Sequence, residues 1–552
     1  MAGTMTNDQT LWLFFTIQKM ITFENIVSTK NLTYVPFLAM FIVGLFSVGL
    51  LSWSLFSSAG GPAWKNGRNQ MGQVPIPGPR GLVVMGSLFT LSHGLAHQRL
   101  DCMARALGCK QLMALSLGLT RVVVTSDPIM AREILTSPYF ADRPIKQSAK
   151  QLMFSRAIGF APNGTHWRLL RRIAASHLFS PRRILAHEGV RMLECTNMVN
   201  SIFKEQVLNG VVSIRKHLQA AALNNIMGSV FGKRYDLVVD VMSGEAKELD
   251  ELVKEGFELL GAFNWTDHLP WLKHFCDPCR IVHRCSSLVP RVRTLVQRII
   301  DEHKMNNIPN YPSQHSDFVH VLLSLDAQHK LEDGDMVAVL WEMIFRGTDT
   351  IALLIEWVLA ELILNPIVQS KLENEISNAM ANGATNSDIA KLPYLEAVVK
   401  ETLRLHPPGP LLSWARLSTT DVHLSNGMVV PKGTTTMVNM WSITHDPNTW
   451  ENPSMFNPER FLENTDYGID IDVRGNDLRL APFGAGRRVC PGKDLALVTV
   501  SQWVAALVHN YNWIQHESHR VDLSEHLKLS CEMKCPLLAV AIPRNCFSTK
   551  IY

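Results

Sequence analysis

The sequence predicts a mainly α fold with a small β portion, behind an N-terminal membrane-anchoring helix. Three observations carry that reading. Helical apolar periods dominate the chain, whereas strand-like runs such as Arg121–Thr125, Val429–Val430 and Thr434–Val438 are short and few. Residues 35–56 run for 22 positions without one charge. Three glycines frame one cysteine in Pro482-Phe-Gly-Ala-Gly-Arg-Arg-Val-Cys490-Pro-Gly492, just ahead of the apolar residues Leu495, Ala496, Leu497, Val498 and Val500.

Composition narrows the function classes. At 552 residues the chain exceeds the ~250–300 at which one core usually stops growing, so length alone favours two or more domains. Charged residues make up 18%, low against ~25% in ordinary globular chains, as a large buried core plus a membrane segment requires. A net charge of +4 is far from a nucleic-acid-binding balance, so no nucleic-acid partner is expected, and it suits an acidic redox partner. Ten scattered cysteines make no disulfide framework; most should be reduced and buried, as in a cytosol-facing protein.

Taken in order, residues 1–34 carry Asp8, Lys19, Glu24 and Lys30 without a core pattern and read as a leader on the lumenal side. Residues 35–56, at ~1.5 Å each, would span ~33 Å, enough for the hydrocarbon core, and read as a single-pass anchor. Lys65, Arg68 and Arg80 follow it, against Lys19 and Lys30 before it, which places the C-terminal bulk in the cytosol. Residues 57–81, with Gly60-Gly-Pro62 and Pro75-Ile-Pro-Gly-Pro-Arg-Gly81, form a stiff, kinked hinge.

Residues 163–172 open a helix with Thr165 as a candidate cap, and Trp167 and Arg171 share one of its faces. Residues 257–285 are aromatic and apolar, with Phe263 among them. Their Cys276, Cys279, His283 and Cys285 superficially suggest zinc, but the spacing is too cramped for paired knuckles. Trp341 to Leu364 is a long apolar helix interrupted by Arg346-Gly-Thr-Asp-Thr350. There Gly347 costs ~1 kcal/mol, and Thr348 and Thr350 can bond back to carbonyls. Glu401 and Arg404 share a face of a helix that ends before Pro407-Pro408, and Arg460 lies in Pro458-Glu-Arg-Phe461. Leu529 to Cys535 reads as a final turn against a pocket, with Ser530 and Cys531 as lining residues. Cys490 meets Pro491, a residue suited to the first helical position; beside Arg487 and Arg488, a sulfur there should favour thiolate and serve as a soft metal ligand.

The string Phe-x-x-Gly-x-Arg-x-Cys-x-Gly is complete here as Phe483, Gly486, Arg488, Cys490 and Gly492, and it resembles the haem-ligand loop of cytochrome P450 monooxygenases. The resemblance overrides the length prior: residues 82–552 become one haem-thiolate domain around a buried haem b. It implies that Cys490 ligates the iron, that Phe483 and Gly492 frame the cofactor, and that Trp167, Arg171, Arg488 and Arg416 hold its propionates. Asp349 and Thr350 become the acid and alcohol that relay protons to dioxygen. Glu401, Arg404 and Arg460 become the structural cluster that locks the segment beneath the haem loop. Phe263, Arg346, Ser530 and Cys531 fall at the substrate pocket. No nicotinamide or flavin fingerprint is present, so electrons come from a separate protein, NADPH–cytochrome P450 reductase, docking near Arg172, Arg487 and Lys493.

Phe345-Arg-Gly-Thr-Asp-Thr350, Gly261-Ala-Phe-Asn-Trp265 and the stretch Leu403 to Arg416 resemble the plant KLUH-like group, associated with organ growth and linked to fatty-acid hydroxylation. That implies a small lipophilic substrate, a fatty acid or related acid, and a microsomal protein of the endoplasmic reticulum membrane. The alternative is a haem-thiolate protein without oxygenase chemistry, a peroxide rearrangement enzyme or a redox sensor. Retention of Asp349 and Thr350 favours dioxygen. One position departs from the family pattern: Arg346 stands where Ala or Gly is usual. A buried guanidinium needs an anion, and the candidates are Glu342, one turn back, or a substrate carboxylate.

Overall fold

The structure, a computed structural model, describes residues 35–56, 59–64, 75–92, 94–238, 242–274, 277, 280–305, 316–327, 329–412, 415–462 and 471–544. The leader, residues 65–74 of the hinge, and Cys276 and Cys279 lie outside the described residues.

The apolar run that follows Glu332 folds into a 32-residue helix, Asp333–Leu364. Asp333 and Asp335 in its first turn complement the helix dipole, and Pro366 forces the chain into a new helix at 113°. Between residues 335 and 363 it is buried on nearly every face, the mark of a central helix rather than a surface one. Ile214–Phe231, Ile281–Met305, Pro393–Leu405 and Lys493–Asn510 pack around it. Its crossing with Ile214–Phe231 explains Gly347: a Cβ there would stand 2.3 Å from Ile226 Cδ1. What the sequence shows only as a propensity cost is a close-approach requirement.

The β portion is small, as expected. One four-stranded sheet runs in the order Met113–Leu117, Thr120–Thr125, Thr435–Val438, Arg416–Leu417, with the middle pair parallel and the outer pairs antiparallel. A three-stranded sheet joins Val212–Ser213, Leu538–Pro543 and Tyr511–Gln515. Two further pairs, Val422–His423 with Val429–Val430 and Glu525–Leu527 with Cys531–Met533, complete it. The described cysteines are all free.

The described hinge residues are strapped onto the first sheet. Ala114 N–H donates to Pro77 O at 2.8 Å, Trp64 Nε1–H to Leu115 O at 2.9 Å, and Ser116 Oγ to Gly60 O at 2.6 Å. A Cβ on Gly78 would lie 1.8 Å from Ala114 O, so only glycine passes there. The residues up to Ser57 form a separate unit containing the helix Val35–Phe56. Side chains are described in it for residues 39–49 alone, an apolar stretch shorter than a membrane span, and over the residues so described no single helix is long and apolar enough to cross a membrane.

Candidate active site

The cysteine loop is shaped by its glycines. Gly484 and Gly486 take left-handed backbone, φ +69 and +66, and a Cβ on Gly486 would lie 2.1 Å from Leu135 O. Cys490 N–H closes the loop onto Phe483 O at 3.0 Å. The following helix is Lys493–Asn510, with Gly492 as its capping residue. Pro491 therefore precedes the helix instead of opening it, and the sulfur stands just upstream of its N-terminus. Burial pushes the Cys490 thiol up, against the Gly492 N–H, Arg346, Arg171 and Lys493, which pull it down. Desolvation, which the sequence does not display, works against the positive potential that the sequence does display. Binding a metal ion removes the proton outright.

Cys490 lines a cavity with about 2040 Å³ of empty space, its open mouth included. Phe483, Gly492, Arg171, Arg416 and Arg488 line it near the sulfur, and Arg346, Gly347, Thr350 and Ser530 line it along the long helix and C-terminal turn. Arg143 also lines it, unmarked by any motif in its loop before Pro144. Burial, then Arg416, Arg346 and Arg488, push Arg143 down. Burial, then Arg488 and Arg171, push Arg416 down to about 9. Guanidinium groups crowded enough to depress one another need anionic company. A flat dicarboxylate cofactor carrying a metal, with a soft sulfur on one face, fits this donor set, and haem b is such a group.

Individual roles differ from the expected ones. The helix Thr165–His177 starts on Gly164 without a side-chain cap, so Thr165 does not cap it. Trp167 does not line the cavity: its indole N–H donates to Ile158 O at 3.0 Å, and Arg488 Cζ lies 4.2 Å from its ring centre. The ring thus holds Arg488 in place by a cation–π contact. Arg488 donates to Ala141 O, Ile158 O and Ala161 O at 2.7, 3.1 and 2.5 Å, Arg171 to Val489 O at 2.9 Å and Arg416 to Ala485 O at 3.2 Å.

On the long helix, Thr348 Oγ1 donates to Ile344 O at 2.6 Å and Thr350 Oγ1 to Arg346 O at 3.4 Å, the back-bonding their types suggest. Thr350 faces the cavity, while Asp349 does not line it. Asp349 accepts from Gln219 Nε2 at 3.4 Å and from Ser530; burial pushes its carboxyl up. Ser530 touches both Asp349 and the cavity, a link invisible in the sequence because 181 positions separate the two. Arg346 Nε is 3.2 Å from Glu342 Oε1, and Gly159 N–H reaches both Glu342 oxygens at 2.9 and 3.1 Å. A Cβ on Gly159 would lie 1.8 Å from Arg346 Nη2.

Two expected lining residues fall elsewhere. Phe263 packs on Trp265 and His268, ring centres 5.4 and 5.7 Å apart, beneath the first sheet. Cys531 begins a strand, so successive side chains point to opposite faces; Ser530 meets the cavity and Cys531 is buried behind it. Cys285 is buried and His283 exposed on one helix, so these two do not converge on a zinc site.

Glu401, Arg404 and Arg460 form a sealed cluster. Arg404 forks onto Glu401 with two 2.7 Å bonds and donates to Thr444 O, Pro453 O and Met455 O, while Arg460 Nε reaches Glu401 Oε1 at 3.1 Å.

Residues 76–535 match the family model Cytochrome P450. The chain is 61% identical over 516 residues to cytochrome P450 78A7 of Arabidopsis thaliana, covering 93% of this chain and 95% of that protein. It is 57% identical over 510 residues to cytochrome P450 78A11 of Oryza sativa subsp. japonica, covering 90% and 91%. To cytochrome P450 78A1 of Zea mays it is 56% identical over 509 residues, covering 90% and 92%.

Proposed function

We propose that this chain, which belongs to the cytochrome P450 family and is a haem b monooxygenase, hydroxylates a small lipophilic substrate, a fatty acid or related acid. Its electrons come from NADPH through NADPH–cytochrome P450 reductase. The observation that carries the substrate class is the guanidinium lining of the cavity. Five guanidinium groups line it, Arg143, Arg171, Arg346, Arg416 and Arg488, against one carboxylate, Glu342. Asp142 faces Arg488 as well, Arg346 is the guanidinium carried beside Thr350 on the long helix, and the remaining wall, including Phe154, Phe345 and Leu354, is apolar.

Haem b held by Cys490 supplies the iron and, through the thiolate, the electron donation that favours O–O cleavage. Arg143, Arg171, Arg416 and Arg488 hold the propionates, the last steadied by Trp167; Phe483 and Gly492 frame the ring. Thr350 presents a hydroxyl to the cavity, and Asp349, reached through Ser530, supplies a proton at its carboxyl. The apolar wall excludes water, which strengthens each of these interactions. Arg346, steadied by Glu342, faces the acid group of the substrate. The helix Val35–Phe56 anchors the protein in the endoplasmic reticulum membrane, with the leader lumenal and the catalytic domain cytosolic. Within the plant it serves organ growth.

The test is to reconstitute the haem-loaded protein with reductase and screen lipid acids for a Soret shift. Acids that shift the Soret band should be hydroxylated with consumption of NADPH and dioxygen. Turnover of a lipid peroxide without either would instead establish the rearrangement chemistry.

A further inference from the structure

The helices Ile281–Met305 and Phe318–Leu323 bring together three side chains that the chemistry above does not use. His303 lies in the last turn of the first helix, Asp317 caps the second, and His320 sits in the second helix's first turn. One ligand atom from each lies within 4.8 Å of the others. Asp317 Oδ2 is 3.2 Å from His303 Nε2 and 2.8 Å from His320 Nδ1, and the two rings meet edge-on, 4.6 Å between centres.

The hydrogen-bond bookkeeping at His303 is what needs explaining. Its Nδ1 lies 2.7 Å from Ile299 O, and a carbonyl oxygen only accepts. Its Nε2 faces the Asp317 carboxylate, which also only accepts. A neutral imidazole has a single N–H. With that N–H given to Ile299, Nε2 points a lone pair at a negative oxygen unless a cation lies between them or the ring carries a second proton. A histidine whose other N–H rests on a backbone carbonyl is the usual arrangement of a metal ligand, because the carbonyl fixes tautomer and ring.

Three features favour a metal ion over a second proton. His320 turns a further ring nitrogen onto the same carboxylate oxygen. Asp317 Oδ1 is held by His320 N–H at 2.9 Å, which fixes the direction of Oδ2. Gly232, at φ +63, leaves the approach to Oδ2 open, where a Cβ would lie 2.7 Å from that oxygen. Zinc bonds of ~2.0–2.2 Å in a tetrahedron set ligand atoms ~3.3–3.6 Å apart, so the 3.2 Å separation from His303 is close to that spacing and the 2.8 Å separation from His320 must open by ~0.5–0.8 Å. His320 is 37% exposed and gives an entry path. The other charged groups nearby are Arg183, whose guanidinium bonds Ser316 O, and Glu302.

We propose that His303, Asp317 and His320 form a divalent-cation site suited to zinc, which ties the end of one helix to the start of the next. None of the three lines the Cys490 cavity, so the site is testable apart from haem. The haem-loaded full chain, without a polyhistidine tag, is freed of metal with a chelator and dialysed against Zn²⁺. Wild type should retain one zinc per haem, and its thermal midpoint should rise with zinc. His320→Gln, at a half-exposed position, should bind zinc at least ~10-fold more weakly and lose the thermal response, with its CO-bound haem spectrum unchanged. Equal zinc uptake by both proteins, or none in the micromolar range, would overturn the site and leave a protonated His303 paired with Asp317.

Discussion

Two arginine–glutamate pairs look alike in this chain and are built differently. Glu401 with Arg404, three apart, and Glu342 with Arg346, four apart, each place a carboxylate and a guanidinium on one helix face. The first pair is sealed: both side chains are 0% exposed, and the donors of Arg404 end on Glu401 and three carbonyls. The second is sealed on one side only. Glu342 is 3% exposed and pinned by Gly159 N–H, while Arg346 is 34% exposed and lines the Cys490 cavity. A buried charge whose partners are all protein is scaffold; one turned partly toward a cavity is available to a ligand. The difference lies in what surrounds each pair and not in its spacing.

The largest effect lies at the wall of the cavity that the open pair lines. Cys490→Ser should abolish hydroxylation and remove the long-wavelength Soret band of the reduced, CO-bound protein, because a hydroxyl does not supply thiolate donation. A mutant that keeps that band would detach Cys490 from the haem altogether.

Next comes the sealed pair. Arg404→Ala strips the buried Glu401 of its two-bond partner, leaving only Arg460 Nε at 3.1 Å, and strands the carbonyls of Thr444 and Pro453; this should cost ~3–5 kcal/mol and show as a lower denaturant midpoint and lost haem retention. A loss below ~1 kcal/mol would place Glu401–Arg404 among surface pairs.

The open pair should respond by ligand rather than by fold. Arg346→Ala should weaken binding of a lipophilic acid by ~2–4 kcal/mol more than binding of its methyl ester, read as Soret-shift affinities. Arg346→Gln combined with Glu342→Gln removes the pair without stranding Glu342, and the same acid-selective loss should persist. Equal losses for acid and ester in both variants would make this pair scaffold too.

How much of this was legible follows from where the information sits. The cysteine loop is local: glycines, arginine and cysteine within eleven residues specify turn and ligand together, and the structure keeps them together. The helix dominance and the small β portion follow from periodicity, which is local as well. Burial is not local. Spacing alone reads Glu401 and Arg404 as a surface pair, and the three carbonyls that enclose Arg404 come from residues 444, 453 and 455. Arg143 carries no pattern, and only the cavity reveals it. Phe263 and Cys531 were misplaced because side-chain direction decides lining, and residue type does not state it. At Cys490 the flanking arginines are visible in the sequence, whereas the desolvation that opposes them is not.

The smallest effect concerns the backbone that carries the open pair. Gly347 adjoins Arg346, and a Cβ there would stand 2.3 Å from Ile226 Cδ1 and 2.6 Å from Cγ1. Two terms oppose each other in Gly347→Ala. Helix propensity favours alanine by ~1 kcal/mol, and overpacking a helix crossing costs ~1–3 kcal/mol. The clash should win, because Cγ1 at 2.6 Å sits close to the Ile226 backbone and is not cleared by a terminal rotation into the cavity as Cδ1 is. The expected result is a net destabilisation of ~1 kcal/mol in denaturant unfolding. Ile226→Val removes Cδ1, the nearer atom, at ~0.5–1.5 kcal/mol on its own. Combined, the two changes should cost less than their sum, a favourable coupling of ~1 kcal/mol that a double-mutant cycle reads directly. If Gly347→Ala instead stabilises the protein, and the cycle shows no coupling, the crossing does not require glycine. The helix would then be free to shift, and the open pair would owe its position to Gly159 alone.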